Sequence, residues 1–278
     1  MFQFIANIFG YLLEWLYNGI GQNYGIALIL FTIILRIILL PLTIKQQKSM
    51  KKTTELQGKM QEIQFKYKNN PELMNKEIMD LYKRENLSPF SGCISSLVQI
   101  LIILSVFYLV SRPLTYMKKI DTGIIENYRN EISAENDGKI SNYYEIEIIQ
   151  KKAAQDENIK VNMDFLGLDL SKVPSQNMTD IKVYIIPILY VISSIFSIRM
   201  TTGKTKKKEQ NGSSEPDMTQ QMNKSMSYMM PIMAVSIAFV APLGLALYWL
   251  VSNILMILER IVINKYVDSK EEKTLCLK

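Results

Sequence analysis

The sequence predicts an all-α membrane protein: five transmembrane helices with the N-terminus outside and the C-terminus in the cytoplasm, a cytoplasmic helical hairpin, and an N-terminal interfacial helix. Three observations carry this. Charge is segregated into blocks: residues 225–258 and 91–111 contain no Asp, Glu, Lys or Arg, whereas 45–88 carries a charge every few residues. A chain that meets lipid in some segments and water in others shows that pattern. Apolar blocks of spanning length recur, and the basic residues fall on alternate sides of them. The bulk composition, 48% hydrophobic and 21% charged over 278 residues, would by itself fit one or two soluble domains.

Residues 1–22 come first. Ile5, Ile8, Phe9, Leu12 and Leu16 recur at helical spacing between polar residues, and Trp15 and Tyr17 suit the headgroup level. This is an amphipathic helix lying on the extracellular face. It lacks the basic start and small-residue cleavage site of a secretory signal. No lipid-modified cysteine is visible either, so the N-terminus itself is expected to cross. The first span, 25–44, is broken only by Arg36. Residues 45–88 form the cytoplasmic hairpin, with Leu56, Met60, Ile63 and Tyr67 on one helix and Met74, Ile78 and Leu81 on the next. Asn69-Asn70-Pro71 turns the chain between them, and Pro71 suits a first helical position.

The second span is 91–111. The extracellular loop 112–182 shows few clear periods, and partial helix with flexible stretches is expected. The third span is 183–199, followed by a cytoplasmic linker at 200–224 whose GKTKKKEQNGSSEPD run has a disordered composition. An uncharged block from 225 to 258 would reach about 51 Å as one helix. Ala241-Pro242-Leu243-Gly244 divides it, giving spans at 225–242 and 244–263 and a cytoplasmic tail at 264–278. Segments 45–90, 199–224 and 259–278 carry ten, six and five basic residues against six, three and four acids; 112–182 carries ten against twelve. Five spans put all three net-positive segments on the cytoplasmic side.

The inventory excludes several chemistries. Histidine is absent and only Cys93 and Cys276 are present, so neither a histidine-based catalytic site nor a Cys/His metal site can be assembled. No glycine-rich phosphate loop appears. An enzyme is not expected, nor any catalytic residue, metal or cofactor. The net charge of +6 follows membrane topology and implies no specific nucleic acid. Arg36, deep in its span, costs roughly 2.5–3.5 kcal/mol on the insertion scale. No partner for it is visible within the bilayer: the spans carry no Asp, and Glu259, their one Glu, falls near the cytoplasmic end of the fifth. A wet polar groove with one uncompensated positive charge is the expected environment. Thr32 stands one turn before Arg36 on the same face, and Gln99 and Ser197 are among the hydroxyls and amides of the other spans. Met218, Met222, Met226, Met229, Met230 and Met233 form a stripe entering the fourth span, suited to varied apolar partners.

Three stretches resemble the YidC membrane protein insertase family: NYGIALILFTIILRIILLPLTIKQQKSMKK (23–52), KYKNNPELMNKEIMDLYKRENLSPFSGC (66–93) and MMPIMAVSIAFVAPLGLALYWLVSNILMILERIVINK (229–265). Residues 164–170 and 184–189 add to it. The resemblance is to a short form without a large outer domain. It implies a bacterial plasma-membrane protein whose five helices enclose a hydrophilic groove. That protein would insert and help fold integral membrane proteins, alone or beside the Sec translocon, without nucleotide hydrolysis. Nascent membrane proteins, the lipid bilayer and the ribosome are the implied partners. The family's groove arginine matches Arg36, its threonine Thr32, its aromatic pair Tyr248 and Trp249, and a polar position late in the third span falls near Ser197. With Gln99 these are the candidate groove residues.

The chain departs from the family where Ile94-Ser95-Ser96 and Ile100 stand in place of the prolines expected after the glycine–cysteine pair and the glutamine. Its tail is short and mildly basic, which weighs against strong ribosome binding there. Two other classes compete: a small channel or transporter, and an assembly factor for finished membrane proteins. No internal repeat is visible and no acid lies in spans one to four, which argues against the first.

Overall fold

A computed structural model describes residues 2–85, 91–202 and 236–275, and the fold is mostly helical. The described residues include the α-helices α1 (Phe2–Gly19), α2 (Tyr24–Lys66), α3 (Pro71–Arg84), α4 (Ser91–Ser111), α5 (Pro113–Tyr116), α6 (Thr122–Glu135), α7 (Tyr144–Lys152), α8 (Ile185–Thr202) and α9 (Leu243–Leu275). Between α7 and α8 lies a hairpin of two-residue strands, β1 (Asp164–Phe165) and β2 (Leu168–Asp169). Among the described residues, three stretches are long and apolar enough to cross a membrane: Tyr24–Ser49, Ile181–Met200 and Leu243–Ile263. A shorter apolar stretch in α4 covers Leu97–Ser111. Residues 236–240 are helical, and the helix is interrupted at 241–242 before α9 begins. The linker run, the methionine stripe and the first part of the 225–242 span lie outside the described residues.

Two compact units are present, Ile37–Ile102 and the described remainder. In the unit built from 37–102, Leu56 on α2 and Leu81 on α3 are buried. The Tyr82 hydroxyl donates to the Met60 sulfur at 3.7 Å, and Lys59 pairs with Glu85 at 2.9 Å. The Asn70 side chain caps α3 by accepting from the Leu73 amide, with Pro71 in the first turn, where its missing N–H leaves nothing unsatisfied. Helix α2 passes Pro41 unbroken. Proline there takes one N–H out of the helical ladder, and the division between the two units falls four residues earlier, at Arg36 and Ile37.

In the other unit, residues 162–172 form a strap over the N-terminal ends of α2 and α9. The Tyr24 amide donates to the Asn162 carbonyl at 3.0 Å, and the Leu243 and Gly244 amides donate to Lys172 and Leu170 carbonyls at 2.9 Å each. First-turn amides have no partner inside their own helix, so the strap supplies what the helices lack. The Asn23 side chain adds a 2.7 Å bond to the Asp164 carbonyl. Leu166 (φ 55°) and Gly167 (φ 76°) make the two-residue hairpin turn, both in the left-handed region. Phe165 lies against Gly25, where any β-carbon would meet its ring at 2.6 Å.

Residues 112–182 combine short helices with turns and the small hairpin, the partial helix expected of them. The helices are short, so periodicity is weak; buried Leu114, Ile132, Ile148, Ile159 and Leu170 form a small apolar core, and polar side chains fasten around it. Lys152 on α7 pairs with Glu131 and Glu135 on α6 at 3.0 and 2.9 Å. Asp121 caps α6 by accepting from the Gly123 amide. Glu145 is fully buried and accepts from the Thr115 amide at 2.9 Å and its hydroxyl at 2.6 Å, tying α7 to α5. Helix α1 packs on α5 through Gly10, where a β-carbon would overlap the Tyr116 carbonyl. Lys119 then reaches Asn7 and lies over the Tyr11 ring.

Two expectations follow. Gly10→Val forces α1 off α5 and lowers stability by about 1–3 kcal/mol, read as a lower thermal midpoint and faster alkylation of a cysteine placed at buried Leu13. Burial pushes the Glu145 carboxyl above its ordinary value, with the Thr115 hydrogen bonds opposing. The folded state therefore holds that proton more tightly than the unfolded chain. Its contribution is complete below the ordinary carboxylate pKa and is lost as pH rises through the folded value. Glu145→Gln should gain on the wild type as pH is raised from 4 to 7.5, checked by thermal midpoints of both proteins.

Candidate functional site

Because the strap holds the starts of α2 and α9 together, residues can be matched by distance from those starts. Arg36 stands twelve residues past Tyr24, about 18 Å along the axis. Ser252 and Glu259 stand nine and sixteen residues past Leu243, about 14 and 24 Å along. They lie two helical turns apart on one face of α9, so the guanidinium falls between them.

The observed contacts agree. Arg36 donates through Nη2 to the Ser252 carbonyl at 3.0 Å and to its hydroxyl at 2.9 Å. Through Nη1 it faces the Glu259 carboxylate at 3.5 Å. Both side chains are mostly withdrawn from solvent, 15% and 12% exposed. Tyr248 is buried one turn before Ser252 on the same face of α9. The pairing with Glu259 corrects the expectation of an uncompensated charge. Glu259 does lie near the end of the Leu243–Ile263 span, about 6 Å further along the axis than Arg36, and the long arginine side chain covers that gap.

Beside this cluster α8 and α9 make the most extensive helix packing of the unit. Asn253 donates to the Ser193 hydroxyl at 2.9 Å and the Ser194 hydroxyl at 3.2 Å. Tyr190 and Trp249 rings lie 6.4 Å apart. Side-chain amides and hydroxyls that bond across helices are how apolar spans hold together when lipid removes the usual hydrophobic drive.

Of the six expected groove residues, Arg36 and Tyr248 belong to the cluster around Ser252. Thr32 is buried and its hydroxyl donates back to the Leu28 carbonyl at 2.7 Å, so it serves its own helix. Trp249 is half-buried against Tyr190, and Ser197 is half-buried on α8, one turn beyond Ser193. Gln99 is half-buried within the 37–102 unit. Ser252, Glu259, Asn253 and Ser193 were not among the expected groove residues. The seven-residue spacing of Ser252 and Glu259 and the solitary carboxylate in an apolar block were the available signals. A cleft of 1210 Å³ opens away from Arg36, in residues 135–177, between mixed charges such as Glu147, Lys151, Asp169 and Lys172.

A helical membrane protein whose spanning helices meet around a half-buried arginine–glutamate pair is the class these observations define. Residues 15–271 match the family described as 60Kd inner membrane protein, and the chain belongs to that family. It is similar to the membrane protein insertase YidC of Treponema denticola, 30% identical over 94% of this chain and 37% of that one. The YidC of Oceanobacillus iheyensis is 28% identical over 95% of this chain and 85% of that one. With the YidC of Clostridium perfringens the identity is 46% over 90 residues, 32% of this chain and 38% of that one. The chain thus spans little more than a third of the Treponema relative. The family resemblance read from the sequence holds, and the protein is a multi-pass component of the bacterial plasma membrane.

The pair should register as energetic coupling. Arg36→Gln or Glu259→Gln alone strands a half-buried charge, while the double variant strands none. A double-mutant cycle on unfolding in lipid nanodiscs should show the double variant less destabilised than the sum of the singles, by about 0.5–3 kcal/mol.

Proposed function

We propose that this protein is a membrane protein insertase and chaperone, working alone or beside the Sec translocon, with five spans, N-terminus outside and C-terminus in the cytoplasm. Arg36 carries the reading. A charge that cannot be shed, set within a spanning helix and turned toward α9, is costly to a membrane protein and marks a functional position. Family membership supports the same conclusion.

In this mechanism the cytoplasmic hairpin of α2 and α3 receives a nascent client. Its short polar tail enters among the polar groups around Arg36, which attracts acidic residues of the tail. The tail then crosses only part of the hydrocarbon unaided. The client's apolar segment slides past α9 into lipid, and its partitioning drives the step, at about 0.8 kcal/mol for each CH₂ buried. No covalent chemistry and no nucleotide is required. The aromatic and hydroxyl surface of Trp249 and Ser197 is where the client passes.

The test is reconstitution into liposomes with single-span clients that differ only in tail charge. Arg36→Ala should lower insertion of acidic-tailed clients by about tenfold, the scale of one lost charge pair near a protein surface, and neutral-tailed clients much less. Equal loss for both would remove charge attraction from the mechanism. A photo-cross-linker at Trp249 should capture ribosome-bound clients only during insertion.

A further inference from the structure

The two halves of the Arg36 site are held unequally. Both Ser252 contacts, at 2.9 and 3.0 Å, are ordinary hydrogen bonds. The Glu259 carboxylate stands at 3.5 Å, well outside the 2.7–2.9 Å of a tight charge-assisted bond. Ser252 therefore fixes where the guanidinium sits, and Glu259 neutralises it at arm's length. A guanidinium has five N–H donors. Both on Nη2 face Ser252, which engages the group shared by the two forked edges, so Nη1, the group turned toward Glu259, is where a second carboxylate would be met.

A carboxylate of an incoming chain would be chemically the same as Glu259. Exchanging one for the other leaves the number of ion pairs at the site unchanged, and Arg36 need not move because its Ser252 bonds persist. We propose that Glu259 is a resident competitor for the guanidinium of Arg36, so that a client engages the site only when its tail carries enough negative charge to displace it. Glu259 is then a specificity-determining residue: it sets how acidic a tail must be. It also keeps the arginine neutralised between clients, sparing the empty protein the cost of a bare charge among its spanning helices. This rests on the reading that Arg36 meets client carboxylates.

The experiment uses the full chain in liposomes and single-span clients whose tails bear zero, one or two carboxylates. The readout is insertion together with cross-linking at Trp249. For the wild type, efficiency should climb with tail charge. Glu259→Gln keeps the side chain's length and removes the competitor. The one-carboxylate client should then insert at least about threefold better, close to the wild-type level for two carboxylates, a change within the range of neighbouring-residue coupling. Arg36→Ala, alone or combined with Glu259→Gln, should flatten the dependence on tail charge. The charge-exchanged variant, Arg36→Glu with Glu259→Arg, should prefer basic tails.

If Arg36→Ala abolishes the charge dependence while Glu259→Gln leaves the wild-type profile, the competitor is overturned and the role of Arg36 stands. A uniform fall for every client in Glu259→Gln also overturns it, since that is the mark of a strut. If Arg36→Ala itself leaves the charge dependence intact, the reading of Arg36 fails and the proposal falls with it. Should Glu259→Gln not accumulate, Glu259→Asp is scored instead: its shorter reach must shift the profile in the same direction, and an unchanged profile overturns the proposal.

Discussion

A guanidinium cannot discard its proton to enter lipid, and this constraint organises the helices around α9. Arg36 must be met by groups that are themselves anchored in the membrane. Backbone carbonyls of a helix are already committed to the ladder, yet the Ser252 carbonyl accepts a further bond on its second lone pair and the Ser252 hydroxyl adds another. Only a helix lying close to α2, with serine at that depth, can offer both. The fixed position of α9 follows from this demand, and α8 follows α9 through Asn253 and its two serine partners.

Such matching in depth needs the helix starts to be level, and the strap provides that. Three amides at the starts of α2 and α9 find their acceptors on residues 162–172. Gly25 leaves room for the strap to approach, since Phe165 occupies the place a side chain would take there. Slippage of α9 by one turn would move Ser252 by about 5.4 Å and take it out of reach of Arg36. The charge cluster and the strap are therefore one arrangement, linked through two helix segments roughly 14–24 Å long.

That the chain is mostly helical and holds membrane-spanning helices was legible because lipid imposes a coarse code of long uncharged blocks. The hairpin was legible for the same kind of reason, since Asn70-Pro71 is both a turn and a cap. The detail of residues 112–182 was not, because their short helices are joined by scattered apolar contacts and by pairings such as Lys152 with Glu131 and Glu135, and Thr115 with Glu145. These pairings join residues 16 or more positions apart and leave little hydropathic trace. The same limit hid the partner of Arg36. Thr32 shares the arginine's face in sequence, yet its hydroxyl turns to Leu28. Glu259 lies near the end of its span as the sequence indicates, and what the sequence hid is that the arginine side chain reaches it.

An unpaired arginine and a tightly paired one would both serve a protein-inserting site badly. Left bare, the charge would carry the full cost of desolvation in the resting protein. Locked in a short bidentate pair, it would have nothing to offer a client, because two strong bonds must break before one forms. The observed arrangement lies between these limits. Ser252 holds the guanidinium by neutral acceptors, which fix its place without cancelling its charge, and the carboxylate that does cancel it stays 3.5 Å away. Exchange of counterions is then nearly balanced, so a few tenths of a kcal/mol per contact in the client's favour can tip it. In the proposed mechanism the large favourable term, partitioning of the client's apolar segment, would come afterwards and need no help from the charge. Separating recognition, which is electrostatic and reversible, from commitment, which is hydrophobic and not readily undone, would in that mechanism let one arginine serve clients of unrelated sequence.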